Sequence, residues 1–213
     1  MRKTITTLLI WLPLCAMAQQ WKANGMSAEE VTPKGWQYSV AEGDLNKDGV
    51  SDIVVLATPN HAENLKTRDD GYVYNFNTPE LAIYLGQKGG GYNCWKTYDN
   101  VVPPRPDEYN SIDATISITP RGVLSISLEH FSSAGGWGNT TETFLYRYQG
   151  KDFFLIGEDE ETMARNTGEA EKISRNYLTN RCQRIKYNVF DDKVKPKETW
   201  SKMKKEPLKK LGE

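Results

Sequence analysis

The clearest pattern along the chain is an alternation of apolar and polar residues between positions 112 and 119. Four apolar residues occupy every second position, namely Ile112, Ala114, Ile116 and Ile118. This period predicts a strand with one face on a core and the other in water. Residues 119–122 (Thr-Pro-Arg-Gly) fit a type I turn. Apolar residues then resume at the same spacing at Leu124, Ile126 and Leu128, which predicts an antiparallel hairpin.

Short strand-like segments recur on both sides of this hairpin. They cover residues 36–41, 53–57, 81–85, 92–98, 139–148, 153–156 and 183–189. The chain is therefore predicted to be all-β, a single domain of about eight antiparallel strands, arranged as a sandwich or as an incomplete propeller-like sheet. The acidic, polar segment 157–176 is a candidate for a short helix, and its run of acidic residues at 158–161 is expected to be solvated.

The connection between the first two predicted strands carries a regular series of oxygen-bearing side chains. They stand at the first, third, fifth and ninth positions of the segment 44–52, as Asp44, Asn46, Asp48 and Asp52. A hard cation such as Ca²⁺ takes six to eight oxygen ligands at about 2.3–2.6 Å. Gly49 at the sixth position permits a sharp turn, and Val50 at the seventh can offer its backbone carbonyl. The pattern therefore predicts a calcium loop.

The twelfth position, counted from Asp44, distinguishes this loop from an EF-hand. The twelfth position, a bidentate Glu in an EF-hand, is Val55, and it lies in the apolar run Ile-Val-Val-Leu. A buried strand, not a helix, is expected to follow.

The segment 36–57 resembles the calcium loop of FG-GAP/VCBS-type repeats, which form the blades of integrin-α-like propellers. The resemblance rests on Gly-Asp-Leu-Asn-x-Asp-Gly-x-x-Asp followed by Ile-Val-Val-Leu, present in a single copy. It implies that the metal ligands are Asp44, Asn46, Asp48, the Val50 carbonyl and Asp52. The order of the later segments also resembles uncharacterised secreted or periplasmic bacterial proteins, a group that implies no activity.

Two interpretations compete for this loop. It is either a solvated Asn/Asp/Gly turn or a calcium site, and four oxygen ligands with a correctly placed glycine favour calcium. A structural role for the ion is favoured over a catalytic one.

The N-terminus has the features of a secretory signal peptide over residues 1–18. Arg2 and Lys3 precede a short apolar stretch, and Ala16-Met17-Ala18 is an A-x-A cleavage site. A periplasmic or secreted location follows. A lipoprotein acylated at Cys15 is less favoured, because the bulky Leu14 stands where a small residue is required.

Charge and length limit the partners and the domain count. The chain has 27 Lys and Arg against 28 Asp and Glu, a formal net charge of −1, so nothing draws it toward nucleic acid. No segment after the signal peptide is long and apolar enough to be transmembrane. The prediction divides the mature chain into a β domain at 19–192 and a lysine-rich tail at 193–213, which is expected to be solvated and partly pinned by Trp200 and Leu208.

The two remaining cysteines, Cys94 and Cys182, leave two alternatives open. In an oxidising compartment they could form a disulfide closing a long loop, a bond worth about 2–4 kcal/mol. The other alternative is two separate buried thiols.

A second candidate site lies in the segment 129–139, which combines Glu129, His130 and Ser132 with a glycine-rich loop carrying Trp137. We expect a binding loop for an unknown protein or glycan, with Trp137 stacking on a flat partner such as a sugar ring. The alternative is a hydrolase. Adjacent strand residues point to opposite faces, however, and the chain lacks a Gly-x-Ser-x-Gly elbow.

Overall fold

The computed structural model describes residues 20–134 and 136–213. The predicted signal peptide and Cys15 therefore lie outside the described residues. No helix within the described ranges has the length and apolar character needed to cross a membrane.

Strands dominate the described chain. In chain order they are β1 (Asn24–Gly25), β2 (Gln37–Gly43), β3 (Asp52–Thr58), β4 (Leu65–Thr67), β5 (Val73–Asn75), β6 (Glu80–Gly86), β7 (Tyr92–Tyr98), β8 (Asn110–Ile118), β9 (Val123–Ser132), β10 (Gly138–Gln149), β11 (Asp152–Ala164), β12 (Glu169–Asn176), β13 (Arg181–Asn188) and β14 (Lys197–Lys202). A four-residue helix, α1 (Ala28–Val31), and a 3-10 turn (Ala62–Asn64) are the helical elements of this part of the chain.

These strands form two main antiparallel sheets, which confirms the all-β prediction. The first has five strands in the order β1-β7-β6-β3-β2, and the second has seven in the order β14-β13-β12-β11-β10-β9-β8. A separate hairpin pairs β4 with β5. The strand number is 14 rather than about eight, partly because very short strands such as β1 leave no periodic pattern. Consequently the predicted calcium loop joins the second and third strands.

One core lies between the two sheets. Its buried side chains come from both, and they are Leu45, Val54, Leu56, Leu81, Ile83, Tyr98, Val102, Leu124, Ile126, Leu128, Phe153 and Leu211. The predicted apolar face of β8 packs against this core, as the alternation at 112–118 indicates. Burial of these apolar surfaces is the main stabilising contribution to the fold.

The opposite face of the five-stranded sheet is also covered. A second buried cluster there includes Val31 from α1, Trp36, and Val55 and Ala57 from β3. Because both faces of β3 are covered, six of its seven residues are buried, and its sequence is a continuous apolar run rather than an alternating one.

The far strands of the seven-stranded sheet differ from the rest. No residue of β12, β13 or β14 belongs to either buried cluster of the described chain. We call these three strands the overhang. The short helix expected within 157–176 is wrong: this segment forms the second half of β11 and all of β12. The Arg175 guanidinium pairs with Glu158 at 2.7 Å and Glu160 at 3.1 Å, so the acidic residues are neutralised across strands instead of being merely solvated.

The C-terminal segment, expected to be a solvated tail partly pinned by Trp200 and Leu208, also pairs with the second sheet. Its first part forms β14, and Leu211 is 2% exposed in the core. The beginning of β11 extends past the end of β12, which pairs only with residues 157–163. Residues 209–211 satisfy the free backbone groups there, because Leu155 N–H donates to the Lys209 carbonyl at 2.9 Å and Leu211 N–H to the Phe153 carbonyl at 2.9 Å.

Candidate metal centre

The predicted calcium loop is a tight turn between β2 and β3. Its chain adopts positive φ at two positions, 63° at Lys47 and 86° at Gly49. A residue without a Cβ adopts such angles at no steric cost, which explains the glycine at the sixth position. The turn brings Asp44, Asn46 and Asp48 onto one short segment of backbone.

These three side chains accept hydrogen bonds from the backbone of the turn. The Asp44 carboxylate accepts from Asp48 N–H at 3.2 Å and from Gly49 N–H at 3.0 Å. Asn46 Oδ1 also accepts from Asp48 N–H, at 3.0 Å, and Asp48 Oδ1 accepts from Val50 N–H at 2.8 Å. Each carboxylate oxygen has further lone pairs, so these bonds orient the oxygens and leave acceptor capacity for a cation.

Asp52 has a different environment from the other acidic residues of the loop. Its side chain is fully buried at 0% exposure. Its Oδ2 accepts from Leu45 N–H at 2.8 Å, and its Oδ1 accepts from Gly86 N–H at 2.9 Å. Burial raises the pKa of Asp52, although backbone hydrogen bonds oppose the rise and the nearby Asp48 charge adds to it. A bound divalent cation would act in the opposite direction, because it favours the ionised carboxylate.

The loop is anchored to both sheets. The Leu45 side chain, 1% exposed, belongs to the core between them. A Cβ added at Gly86, at the end of β6, would overlap the Ser51 carbonyl oxygen. A Cβ added at Gly122, in the β8–β9 turn of the other sheet, would overlap the Asp44 carbonyl oxygen. The first and last parts of the loop are therefore packed backbone to backbone against one turn from each sheet.

The donor chemistry of the loop suits a hard cation, since every candidate ligand is an oxygen. The loop is closed by its own hydrogen bonds. In the described part of the chain, no group of three or more His, Cys, Asp or Glu side chains is placed to hold a metal. Asp44, Asn46 and Asp48 lie on the turn, whereas Asp52 is held below it by two backbone N–H groups. Ca²⁺ accepts irregular and flexible coordination, and small rearrangements of these side chains would be needed to surround it.

The second candidate site, at the end of β9 and the start of β10, does not assemble a nucleophile with a base. His130 Nε2 lies 2.8 Å from Glu142 Oε2 on the neighbouring strand. The Ser132 hydroxyl donates to the Ala134 carbonyl at 2.9 Å rather than to His130. Glu129 accepts from Asn139 Nδ2 at 2.9 Å on the other face of the sheet. The separation of Glu129 from His130 agrees with the alternation expected for a regular strand.

Trp137 projects from the loop between these strands. Its side chain is 67% exposed, so it does not cover the core. Arg165, which follows the last residue of β11, holds the backbone of this loop in place. Its guanidinium donates to the Ser132 and Gly136 carbonyls at 2.9 Å each. Its backbone N–H donates to the Trp137 carbonyl at 2.7 Å. Trp137 is thus an exposed aromatic residue on a braced loop.

The two cysteines are free thiols in the structure, which is a correction to the disulfide alternative. Cys94 lies in β7 of the five-stranded sheet, whereas Cys182 lies in β13 of the overhang. The Cys94 side chain packs against the second buried cluster, on the face of the five-stranded sheet opposite the shared core, so it is directed away from the seven-stranded sheet that carries Cys182. Burial raises the pKa of the Cys94 thiol.

Comparisons with protein-family models, with curated proteins and with solved structures find no match to this chain. The resemblance of residues 36–57 to a calcium-loop repeat therefore rests on the motif residues alone.

Sequence reasoning did not identify the residues that anchor the two sites. The sequence marks Gly122 only as a turn residue, and nothing in it singles out Gly86 or Arg165. Glycines in turns are common, and only the packing shows that these two approach the loop backbone. An arginine isolated in a polar segment gives no indication that it will bind three backbone groups of a distant loop.

Proposed function

We propose that this chain is a secreted or periplasmic calcium-binding protein of the FG-GAP/VCBS type, in which calcium is structural and the sandwich serves as a binding or scaffolding module. The observation that carries the proposal is the loop 44–52, where Asp44, Asn46 and Asp48 lie on a turn with positive φ at Lys47 and Gly49. The Val50 carbonyl and Asp52 complete the expected ligand set.

Electrostatics supports a cation in this position. Three carboxylates lie within nine residues, and Asp52 carries the cost of burial that raises its pKa. A divalent ion would offset both the repulsion and the burial of the ionised form.

The anchoring of the loop supports a structural role. The loop contacts the β6–β7 turn in one sheet and the β8–β9 turn in the other, and its Leu45 lies in the core. An ion that holds the loop would therefore hold the junction between the sheets. Extracellular calcium modules bind with Kd values of about 10⁻⁴–10⁻³ M, and at ten to a hundred times Kd the gain in stability is roughly 1.4–2.7 kcal/mol.

The direct test is thermal unfolding of the secreted chain in EDTA and in excess calcium. We expect calcium to raise the midpoint by about 3–10 °C, from the linkage gain above and about 2–4 °C per kcal/mol for a domain of this size. Asp48→Ala should abolish the shift, because it removes a ligand without disturbing the core. The matched control is Asp69→Ala, an exposed acid in another loop, which should leave the calcium shift unchanged.

A calcium shift equal in the wild type and in Asp48→Ala would place the ion elsewhere. No shift in either protein would mean that residues 44–52 form an ordinary hydrogen-bonded turn and that the resemblance to calcium-loop repeats is misleading.

The partner in this proposal is an unknown protein or glycan that contacts the Trp137 loop. The exposed indole on a backbone braced by Arg165 supports recognition by stacking, because an ordered loop loses little entropy on binding. Hydrolysis is the second candidate, and it is favoured only by the contact between His130 and Glu142. His130→Ala and Ser132→Ala separate the two candidates, because in a hydrolase they would remove turnover at an unchanged melting temperature. In a binding module, Trp137→Ala would weaken binding of the partner more than either of these substitutions.

A further inference from the structure

The strand at the open edge of the overhang, β14, is suited to pairing with the same strand of a second copy. Among the described residues, β14 is the last strand of the seven-stranded sheet and pairs there only with β13. All six of its residues are exposed. An edge strand of this kind carries unpaired backbone donors and acceptors along one side.

The hydrogen-bond register shows which residues present those groups. Just beyond β14, Met203 N–H donates to the Asn180 carbonyl at 2.8 Å. Inward and outward groups alternate along an antiparallel strand, so Lys197, Thr199 and Ser201 face β13 with their backbone groups. The N–H and C=O groups of Glu198, Trp200 and Lys202 therefore point away from β13 to the open edge.

The side chains of these same three residues lie on one face of the sheet, since they are two positions apart. Trp200 is packed there against the Arg181 guanidinium, at 4.5 Å from the ring centroid. The Glu198 carboxylate accepts from Gln183 Nε2 at 2.9 Å and also from the Trp200 indole. Glu198 and Trp200 are thus held in place before any partner arrives.

We propose that a second copy of this chain docks on this edge through its own β14, in antiparallel register with Trp200 opposite Trp200. A two-fold axis at that position places Glu198 of each copy opposite Lys202 of the other. All three open residues of each strand then form hydrogen-bonded pairs, and the two seven-stranded sheets become one continuous sheet.

Charge and backbone chemistry select this register over its neighbours. A shift that centres the pair on Thr199 brings Lys202 opposite Pro196, which has no N–H to donate. A shift that centres it on Ser201 brings Glu198 opposite Lys204, which lies beyond the end of β14, so that pair falls outside the strand. Centring on Glu198 or on Lys202 brings like charges face to face, which is destabilising. Lysines on an edge strand commonly prevent pairing, but in the register centred on Trp200 each Lys202 meets a glutamate. The contact is small beside the roughly 1,600 Å² of a standard interface, so the dimer should be dependent on concentration.

Sedimentation velocity of the full secreted chain over a range of concentrations tests the association. The wild type should shift from monomer to dimer as its concentration rises. Glu198→Lys and Lys202→Glu should each weaken dimerisation by about tenfold or more, since each replaces two attractive pairs by two repulsive ones. The double variant Glu198→Lys with Lys202→Glu restores opposite charges in the same register and should regain the wild-type dimer. Lys197→Glu, a charge reversal outside the proposed pairs, is the matched control and should leave it nearly unchanged.

A disulfide cross-link tests the register independently, in the secreted chain with its two remaining cysteines, Cys94 and Cys182, replaced by serine. Trp200→Cys should give an oxidised dimer, because hydrogen-bonded partners have Cα atoms about 5.5 Å apart, within disulfide range. Glu198→Cys should give none, since its two copies would lie more than about 13 Å apart along the strands. A wild type that stays monomeric throughout, a dimer unaffected by either single charge reversal, or equal cross-linking at both positions would each overturn the proposal. If the edge instead binds a strand of a different protein, the wild type would stay monomeric at every concentration.

Discussion

The five-stranded sheet and the overhang are built from the same antiparallel pairing but are stabilised differently. Six of the seven residues of β3 are buried, whereas all six residues of β14 are exposed. β3 lies between two apolar clusters, and β14 has a neighbouring strand on one side only. At the centre of the first region, in β3 and β6, the sequence is apolar on both faces, and in the second region it is free to carry charge.

The consequence is a difference in what each region can tolerate and what it can do. In the covered sheet, packing leaves no room for extra atoms, and the candidate calcium loop is held by that packing. In the overhang, cross-strand ion pairs and backbone hydrogen bonds replace the core, and its face and edge remain available to a partner. Mutations should therefore cost much more in the first region than in the second.

The largest contrast should come from removing apolar side chains. Phe153 is 0% exposed and packs against Trp95 and Tyr148, with ring centroids 5.2 Å away in both cases. We expect Phe153→Ala to lower the free energy of unfolding by about 3–5 kcal/mol, because it leaves a large cavity in the core. Ile185→Ala in β13 should lower it by about 1 kcal/mol or less, as a half-buried site outside both clusters. Urea denaturation measures both, and equal losses would contradict the distinction between core and overhang.

A smaller effect should follow from adding one methyl group beside the candidate calcium loop. Gly86→Ala forces a Cβ into the Ser51 carbonyl oxygen, and overpacking against backbone costs roughly 2–3 kcal/mol. Gly89 lies three residues further along the same β6–β7 turn, where an added Cβ meets nothing within 4 Å, so Gly89→Ala is the matched control and should be nearly neutral. The two variants should be compared in EDTA by urea denaturation, which keeps any effect on calcium binding separate. A tolerated Gly86→Ala would mean that the loop is not packed tightly against this turn.

The sequence predicted the covered region better than the overhang, for a physical reason. The alternation at Ile112, Ala114, Ile116 and Ile118 exists because one face of β8 lies on the core, so the pattern and the strand have the same cause. In β12 of the overhang the two buried apolar residues, Ala170 and Ile173, are three positions apart, so no period of two appears. The acidic run at 158–161 of the neighbouring β11 gives no indication that Arg175 will reach two of its members. The strand nature of β12 thus follows from backbone pairing with β11 and β13 on either side, which a local pattern of side chains does not show.

The same limit applies to the C-terminal segment and to the sites. Lysine-rich composition suggested a solvated tail, but β14 is held by backbone pairing, which places little demand on side-chain type. The spacing of oxygen side chains in the loop 44–52 was readable because the turn itself imposes it. The contacts of Gly86 and Gly122 with that loop, and the absence of a bridge between Cys94 and Cys182, depend on how the two sheets are arranged, which no local pattern encodes.

The smallest predicted effects concern the ion pairs of the overhang. Arg175 bridges Glu158 and Glu160, and its side chain is 27% exposed. Arg184, which contacts Glu171 at 2.8 Å, is 46% exposed. We expect Arg175→Ala to cost roughly 1–2 kcal/mol, since it leaves two partly buried carboxylates on the same strand without their shared partner.

Arg184→Ala should cost between zero and about 1 kcal/mol, because solvent screens the more exposed pair and Lys186 still contacts Glu171 at 3.3 Å. Urea denaturation at low and high salt separates the two variants: the loss at Arg184 should fade as salt rises, whereas the loss at Arg175 should largely persist. If both losses disappear in salt, the face of the overhang is fully solvated. If both persist at equal size, the overhang is stabilised by burial as the five-stranded sheet is, and the contrast between the two regions fails.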